Sequence, residues 1–134
     1  METDSQRRVL VVEDNSALAT VLQFNLQQAG FDVVHAANGR VAYEITLRES
    51  FDLIISDEQM PEMTGLEFCR LYRATATGGD VPIVLLTAKK LELDSHQLSR
   101  ELSISEIMGK PFSPRAIVRL ARELTDRACE NVST

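Results

Sequence analysis

Glu13 and Asp14, Asp57, Thr87 and Lys110 each stand at or just past the end of a short run with strand character: Val9–Val12, Leu53–Ser56, Ile83–Leu86 and Glu106–Met108. If those runs are neighbouring parallel strands, three carboxylates, a hydroxyl and an ammonium meet on one edge. Two carboxylates about 4 Å apart repel by roughly 4 kcal/mol at an effective dielectric near 20. Lys110 offsets part of that repulsion and a hard divalent cation offsets more. Mg²⁺ suits such a site, with Mn²⁺ as an alternative, because it takes a few carboxylate oxygens, keeps waters and accepts a phosphate oxygen. Asp57 then has the surroundings of a nucleophile toward a phosphoryl donor, with Lys110 to neutralise charge and Thr87 to donate a hydrogen bond. Taken singly, each residue also has a plainer role. Glu13 and Asp14 could be solvated loop residues, Asp57 a turn residue, Thr87 a helix cap and Lys110 a surface lysine. Their fall on four strand ends favours the shared site.

The elements that must hold these residues alternate short apolar runs with longer amphipathic stretches. The first strand, Val9–Val12, is apolar throughout, as expected when both faces are covered. A helix follows, capped by Asn15 or Ser16 and closed by Gly30, with a stripe of Leu18, Val21, Leu22, Leu26 and Ala29. Next come a strand near Asp32–Ala36, a turn at Asn38-Gly39 and a helix from about Val41 to Arg48. The third strand runs from Leu53 into Asp57, and the following helix carries Leu66, Phe68, Cys69 and Tyr72. The fourth strand ends on Thr87, and a more polar helix spans roughly Leu91 to Leu102. The fifth strand lies near Glu106–Met108. A last helix opens at Ser113-Pro114 with a stripe of Ile117, Leu120, Ala121, Leu124 and Ala128. This alternation predicts an α/β fold: a five-stranded parallel sheet with helices on both faces and its ligand site at the strands' carboxyl ends. Residues 1–134 read as one domain with a core over about 7–127, and fraying is expected after Arg127.

Composition limits the function classes. The 134 residues are 44% hydrophobic and 25% charged with a formal net charge of -6, which suits a globular protein and disfavours a nucleic-acid or anionic-membrane surface. The clusters Arg7-Arg8 and Lys89-Lys90 are too short for a binding patch. No apolar run approaches the roughly 20 residues of a membrane span, and a cytoplasmic address is expected. Cys69 and Cys129 lack metal-ligand or redox spacing, and Cys69 reads as a core residue.

The motifs Val11-Val12-Glu13-Asp14-Asn15, Asp57 through Gly65, Leu86-Thr87-Ala88 and Lys110-Pro111-Phe112 occur in the order and spacing of a known family. Along nearly its whole length the chain resembles the response-regulator receiver domain of two-component signalling, and the chemotaxis-type single-domain regulators in particular. The resemblance implies a doubly wound sheet of order 2-1-3-4-5 with five helices. It makes Asp57 the phosphoacceptor for a histidine kinase or histidine phosphotransfer protein. It makes Asp14, Asp57 and the Gln59 backbone carbonyl direct Mg²⁺ ligands, with Glu13 acting through metal-bound water. Thr87 becomes the switch hydroxyl and Lys110 the phosphate-pairing lysine, with a cis Lys110-Pro111 bond. The usual partner face, for a downstream target or a homodimer, is the fourth helix, fifth strand and fifth helix. Here it includes Lys90, His96, Arg100, Glu106, Arg115 and Arg119.

Two departures stand out. Ile107 occupies a position that is usually aromatic and changes rotamer with the threonine, so either the signal passes by another route or the switch surface is muted. Ser103 replaces a usual glycine ahead of the fifth strand, which puts that turn's geometry in question. Gln59 and Lys89 occupy the positions that tune dephosphorylation. The rival enzyme reading is a haloacid-dehalogenase-type phosphatase, which also pairs an aspartate nucleophile with Mg²⁺. Its general acid would sit where this chain has Gln59, which cannot protonate a leaving group. A dead-site interaction module is the other rival, disfavoured because the acidic, Thr and Lys set is complete. Met1 and the chain end near the last helix suggest a stand-alone regulator, although excision from a longer one would look alike. No helix-turn-helix segment follows, so direct nucleic-acid contact is not expected.

Overall fold

The computed structural model describes residues 6–75, 78–89 and 100–132. Five parallel strands, β1 (Arg8–Val12), β2 (Asp32–Ala36), β3 (Leu53–Asp57), β4 (Ile83–Thr87) and β5 (Glu106–Gly109), form one sheet of order β2-β1-β3-β4-β5. Helices α1 (Ser16–Gln28), α2 (Gly39–Thr46), α3 (Gly65–Arg73) and α5 (Pro114–Val132) cover it. Of the helix expected over Leu91–Leu102, the described part is the last turn, 100–102, here α4.

The sheet's pleat sorts the core into two layers. Val9, Val11, Leu53, Ile55, Val84 and Leu86 face Leu22 and Leu26 of α1 and Ile117, Ala121 and Leu124 of α5. Leu10, Val12, Ile54, Ile83 and Leu85 point the other way, toward Ala42 of α2, Phe68, Cys69 and Tyr72 of α3, and Leu102. Because both faces are covered, every residue of β3 and β4 is buried, and their sequences are apolar up to the functional end. Parallel strands joined by helices on alternating faces make the doubly wound sheet expected from the sequence.

Several local details differ from the expectations. The Asn15 side chain, rather than Ser16, accepts from the Leu18 N–H at 2.9 Å and caps α1. Val21 is 42% exposed and Ala19 takes its place on the buried face. The first helix thus buries a narrower stripe than the run of aliphatics suggests. Asn38-Gly39 is not a separate turn: Asn38 caps α2 by accepting from Val41 N–H at 2.9 Å, so the helix begins two residues early. β5 continues to Gly109, and α5 spans Pro114–Val132. Ser113 accepts from Ala116 N–H at 3.2 Å, as a cap before Pro114 should.

The Arg7-Arg8 pair is occupied within the molecule. Arg7 bonds Asp126 and the Thr125 hydroxyl, tying the start of β1 to α5. Arg8 reaches Glu49 at 2.7 Å and Asp32 at 3.2 Å while lying 4.9 Å over the Phe51 ring. Arg73 donates to the carbonyls of Leu102, Gly78 and Ser103 at 2.7, 2.6 and 2.9 Å. Those bonds hold the turn in which Ser103 adopts φ 53°. The serine therefore keeps the left-handed backbone a glycine would take, so the turn is not rebuilt around it.

Candidate functional site

Backbone hydrogen bonds align the strand ends that carry the polar residues. Glu13 N–H donates to Ala36 O at 3.0 Å, Glu58 N–H to Leu86 O at 2.8 Å, and Lys110 N–H to Thr87 O at 2.9 Å. Asp57, the last residue of β3, lies opposite Leu86, and Thr87 lies opposite Gly109. β1 pairs with both β2 and β3, so the chain order reverses at β1, where Glu13 and Asp14 emerge.

Glu13, Asp57 and Thr87 are buried, Asp14 is exposed and Lys110 is half-buried. One carboxylate oxygen from each of Glu13, Asp14 and Asp57 lies within 4.8 Å of the others. Lys110 Nζ stands 2.7 Å from Asp57 Oδ1 and 3.9 Å from Glu13 Oε1. Among the described residues, neither of those two buried oxygens has a hydrogen-bond partner; Lys110 stands beside them as an ion pair. Burial pushes the Glu13 carboxyl up to about 7, and the Asn15 N–H, donating to Oε2 at 3.2 Å, opposes that rise. The Asp57 and Asp14 charges add to it and Lys110 subtracts. Unsatisfied buried carboxylate oxygens beside an exposed aspartate fit a hard, oxygen-seeking divalent cation, which needs such acceptors and leaves room for water. The sequence-predicted residues Glu13, Asp14, Asp57, Thr87 and Lys110 are thus gathered at one edge.

Gln59 is exposed and its side chain does something that sequence reasoning missed. Nε2 donates to Thr87 Oγ1 at 2.7 Å, and Oε1 accepts from the Ala88 N–H at 3.2 Å. The loop after Asp57 is fixed from its far end. Thr64 and Glu67 form a reciprocal capping box on α3, and Glu58 Oε1 accepts from Leu66 N–H at 2.8 Å. Gly65 packs so tightly that a Cβ there would meet the Asp57 carbonyl oxygen and the Glu58 backbone. His35 was also overlooked: its Nε2 is 2.8 Å from the Glu13 carbonyl oxygen. Its place one residue before the end of β2, beside β1, was the available signal.

The Lys110-Pro111 bond is cis, as the resemblance implies. On the expected partner face, Arg100, Glu106, Arg115 and Arg119 are exposed, while Lys90 and His96 lie outside the described residues. Ile107 is buried in the layer with Leu85, Leu102 and Ile104. Among the described residues, no helix is long and apolar enough to cross a membrane.

Comparison with known proteins agrees with this geometry. The chain is 39% identical over 111 residues to the alkaline phosphatase synthesis transcriptional regulatory protein PhoP of Bacillus subtilis (strain 168). The aligned region covers 83% of this chain and 45% of that relative, so the chain spans less than half the relative's length. The chemotaxis response regulator CheY4 of Vibrio cholerae superposes with a TM-score of 0.81 at 31% identity, covering 90% of this chain and 99% of that one. The receiver domain of the sensor histidine kinase PA1611 from Pseudomonas aeruginosa PAO1, solved with a magnesium ion coordinated in its active-site cleft, gives 0.81 at 28% identity, covering 91% and 99%. The family model described as the response regulator receiver domain matches residues 9–122. With that match running from β1 into α5 and taking in the acidic edge, the chain belongs to the response regulator receiver domain family.

Proposed function

We propose that this receiver domain is a phosphorylation switch in which Asp57 accepts a phosphoryl group from a histidine kinase or a histidine phosphotransfer protein. The observation that carries the reading is the Asp57–Lys110 pair, with buried oxygens of Asp57 and Glu13 left without hydrogen-bond partners among the described residues. A carboxylate oxygen of Asp57 attacks phosphorus, the bond to the donor's imidazole nitrogen breaks, and that nitrogen keeps the electron pair. Lys110, at ion-pair distance, would follow the charge onto the phosphoryl oxygens, and Thr87 would donate its hydroxyl proton to one of them. Asp14, Asp57 and the Gln59 carbonyl would hold Mg²⁺ or Mn²⁺ directly, with Glu13 acting through water. The bound cation would neutralise charge between the acceptor and phosphoryl oxygens.

The readout is a two-state shift: differential contacts from Thr87 and Lys110 to the phosphoryl group draw the loop after β4 toward the site. The surface of α4, β5 and α5 then meets a downstream protein or a second copy of the chain. In this reading residues 1–134 work as one receiver unit beside a cytoplasmic kinase domain. The test is incubation with Mg²⁺ and a small phosphodonor, then intact-mass measurement before and after hydroxylamine. One hydroxylamine-labile adduct, missing from Asp57→Asn, is expected. No adduct, or one that survives in Asp57→Asn, refutes the proposal.

A further inference from the structure

The Gln59 amide grips two points of the chain just after β4, the Thr87 hydroxyl and the Ala88 N–H. Acceptance from a backbone N–H fixes which end of that amide is oxygen. Thr87 Oγ1 also accepts from the Lys89 N–H at 2.9 Å. A hydroxyl has two acceptor lone pairs and one proton, so Gln59 and Lys89 fill both acceptor positions. Those two bonds leave the hydroxyl proton free to donate, and it is a change of χ1 carrying Oγ1 itself toward a group on Asp57 that parts it from both donors. Threonine is stiff at χ1, and its hydroxyl moves between discrete wells rather than by small drift. Ile107, on the neighbouring strand, is buried in the layer with Leu85, Leu102 and Ile104 and carries no polar tip.

We propose that the Gln59 side chain is a positioning residue that latches Thr87 and the loop after β4 in the resting arrangement. Carrying Oγ1 toward a phosphoryl group on Asp57 releases this latch. The latch rests on the phosphoacceptor reading for its purpose, and on the hydrogen bonds among Gln59, Thr87 and Ala88 for its existence. It gives the Gln59 amide a role separate from that of its backbone carbonyl.

Gln59→Met keeps the length and backbone of the residue and removes both hydrogen bonds. In metal-free, unphosphorylated protein, amide hydrogen exchange at Ala88 and Lys89 should rise about fivefold in this variant, as loss of a typical net hydrogen bond implies. Gln59→Glu should restore protection at Ala88, because a carboxylate oxygen accepts from its N–H and the second takes the Thr87 proton. With Mg²⁺ and beryllofluoride as the phosphoryl mimic, Gln59→Met should bind the mimic about fivefold more tightly than wild type. Unchanged exchange in Gln59→Met overturns the latch, and so does mimic binding that is equal or weaker than wild type. A wild-type protein that takes up no beryllofluoride overturns the phosphoacceptor reading and the latch's purpose with it. That result is distinct from failure of the latch alone, in which wild type binds and Gln59→Met binds no better.

Discussion

Lys110 Nζ lies 2.7 Å from Asp57 Oδ1 and 3.9 Å from Glu13 Oε1, and among the described residues neither oxygen has a hydrogen-bond partner. One cation thus serves two buried carboxylates and satisfies neither fully. The pair is worth more as a charge balance than as a bond, because removing one partner leaves the other uncompensated. Lys110→Met should lower stability by roughly 1–3 kcal/mol in metal-free buffer at pH 8. Urea titrations with and without Mg²⁺ check this, and Mg²⁺ should recover part of the loss.

Glu13 sets a pH dependence with a definite sign. Its carboxyl is raised by burial to about 7 in the folded protein, against an ordinary value of 4.5. The folded state therefore binds this proton more tightly than the unfolded chain. Its contribution favours the fold fully below the ordinary value and is lost as pH rises through about 7. Metal-free wild type should lose stability relative to Glu13→Gln over that window, by an amount on the order of 3 kcal/mol at most. Thermal melts of both proteins from pH 4 to 8 give the difference curve, and a flat difference contradicts the assignment.

Gly65 is the narrow point beneath the phosphoacceptor candidate. A methyl group there meets the Asp57 carbonyl oxygen and the Glu58 backbone, neither of which can swing aside as a side-chain tip would. Gly65→Ala should cost about 1–3 kcal/mol and displace the Asp57 loop. Denaturant midpoints measure the first effect. Weaker Mg²⁺ binding, followed by nuclear magnetic resonance titration, measures the second.

Ser103 sits at φ 53° in a turn held by the guanidinium of Arg73. Ser103→Gly relieves a left-handed conformation that costs a non-glycine residue about 1 kcal/mol. Part of that gain is offset by the extra freedom of an unfolded glycine. A net stabilisation of about 0.5 kcal/mol is expected, read as a higher urea midpoint with an unchanged slope.

Much of the fold was legible because its strands are covered on both faces. Val9–Val12, Leu53–Ile55 and Ile83–Leu86 are apolar for that reason, and each ends at or just before the polar chemistry. β2 was fainter, since only Ala36 of its five residues is fully buried. The start of α2 was misread because Asn38-Gly39 has the composition of a turn, while here the asparagine is a cap. Val21 and Ala19 exchanged roles because periodicity marks an apolar face but not its width. The carboxylates, Thr87 and Lys110 were visible from their strand ends. The bonds from Gln59 to Thr87 and from His35 to Glu13 span 28 and 22 residues. No local spacing announces such contacts, which arise from register and rotamer.

The alternation of β3 between the two core layers has a consequence for how this chain tolerates changes in length. Ile54 faces one layer while Leu53 and Ile55 face the other. Deleting or inserting a single residue within the strand reverses this parity, sending each side chain into the wrong layer. It would also shift Asp57 off the edge. The strand behaves as an indexed ruler whose last mark is Asp57, so a one-residue change in length inside β3 should be far more damaging than the same change in a surface loop.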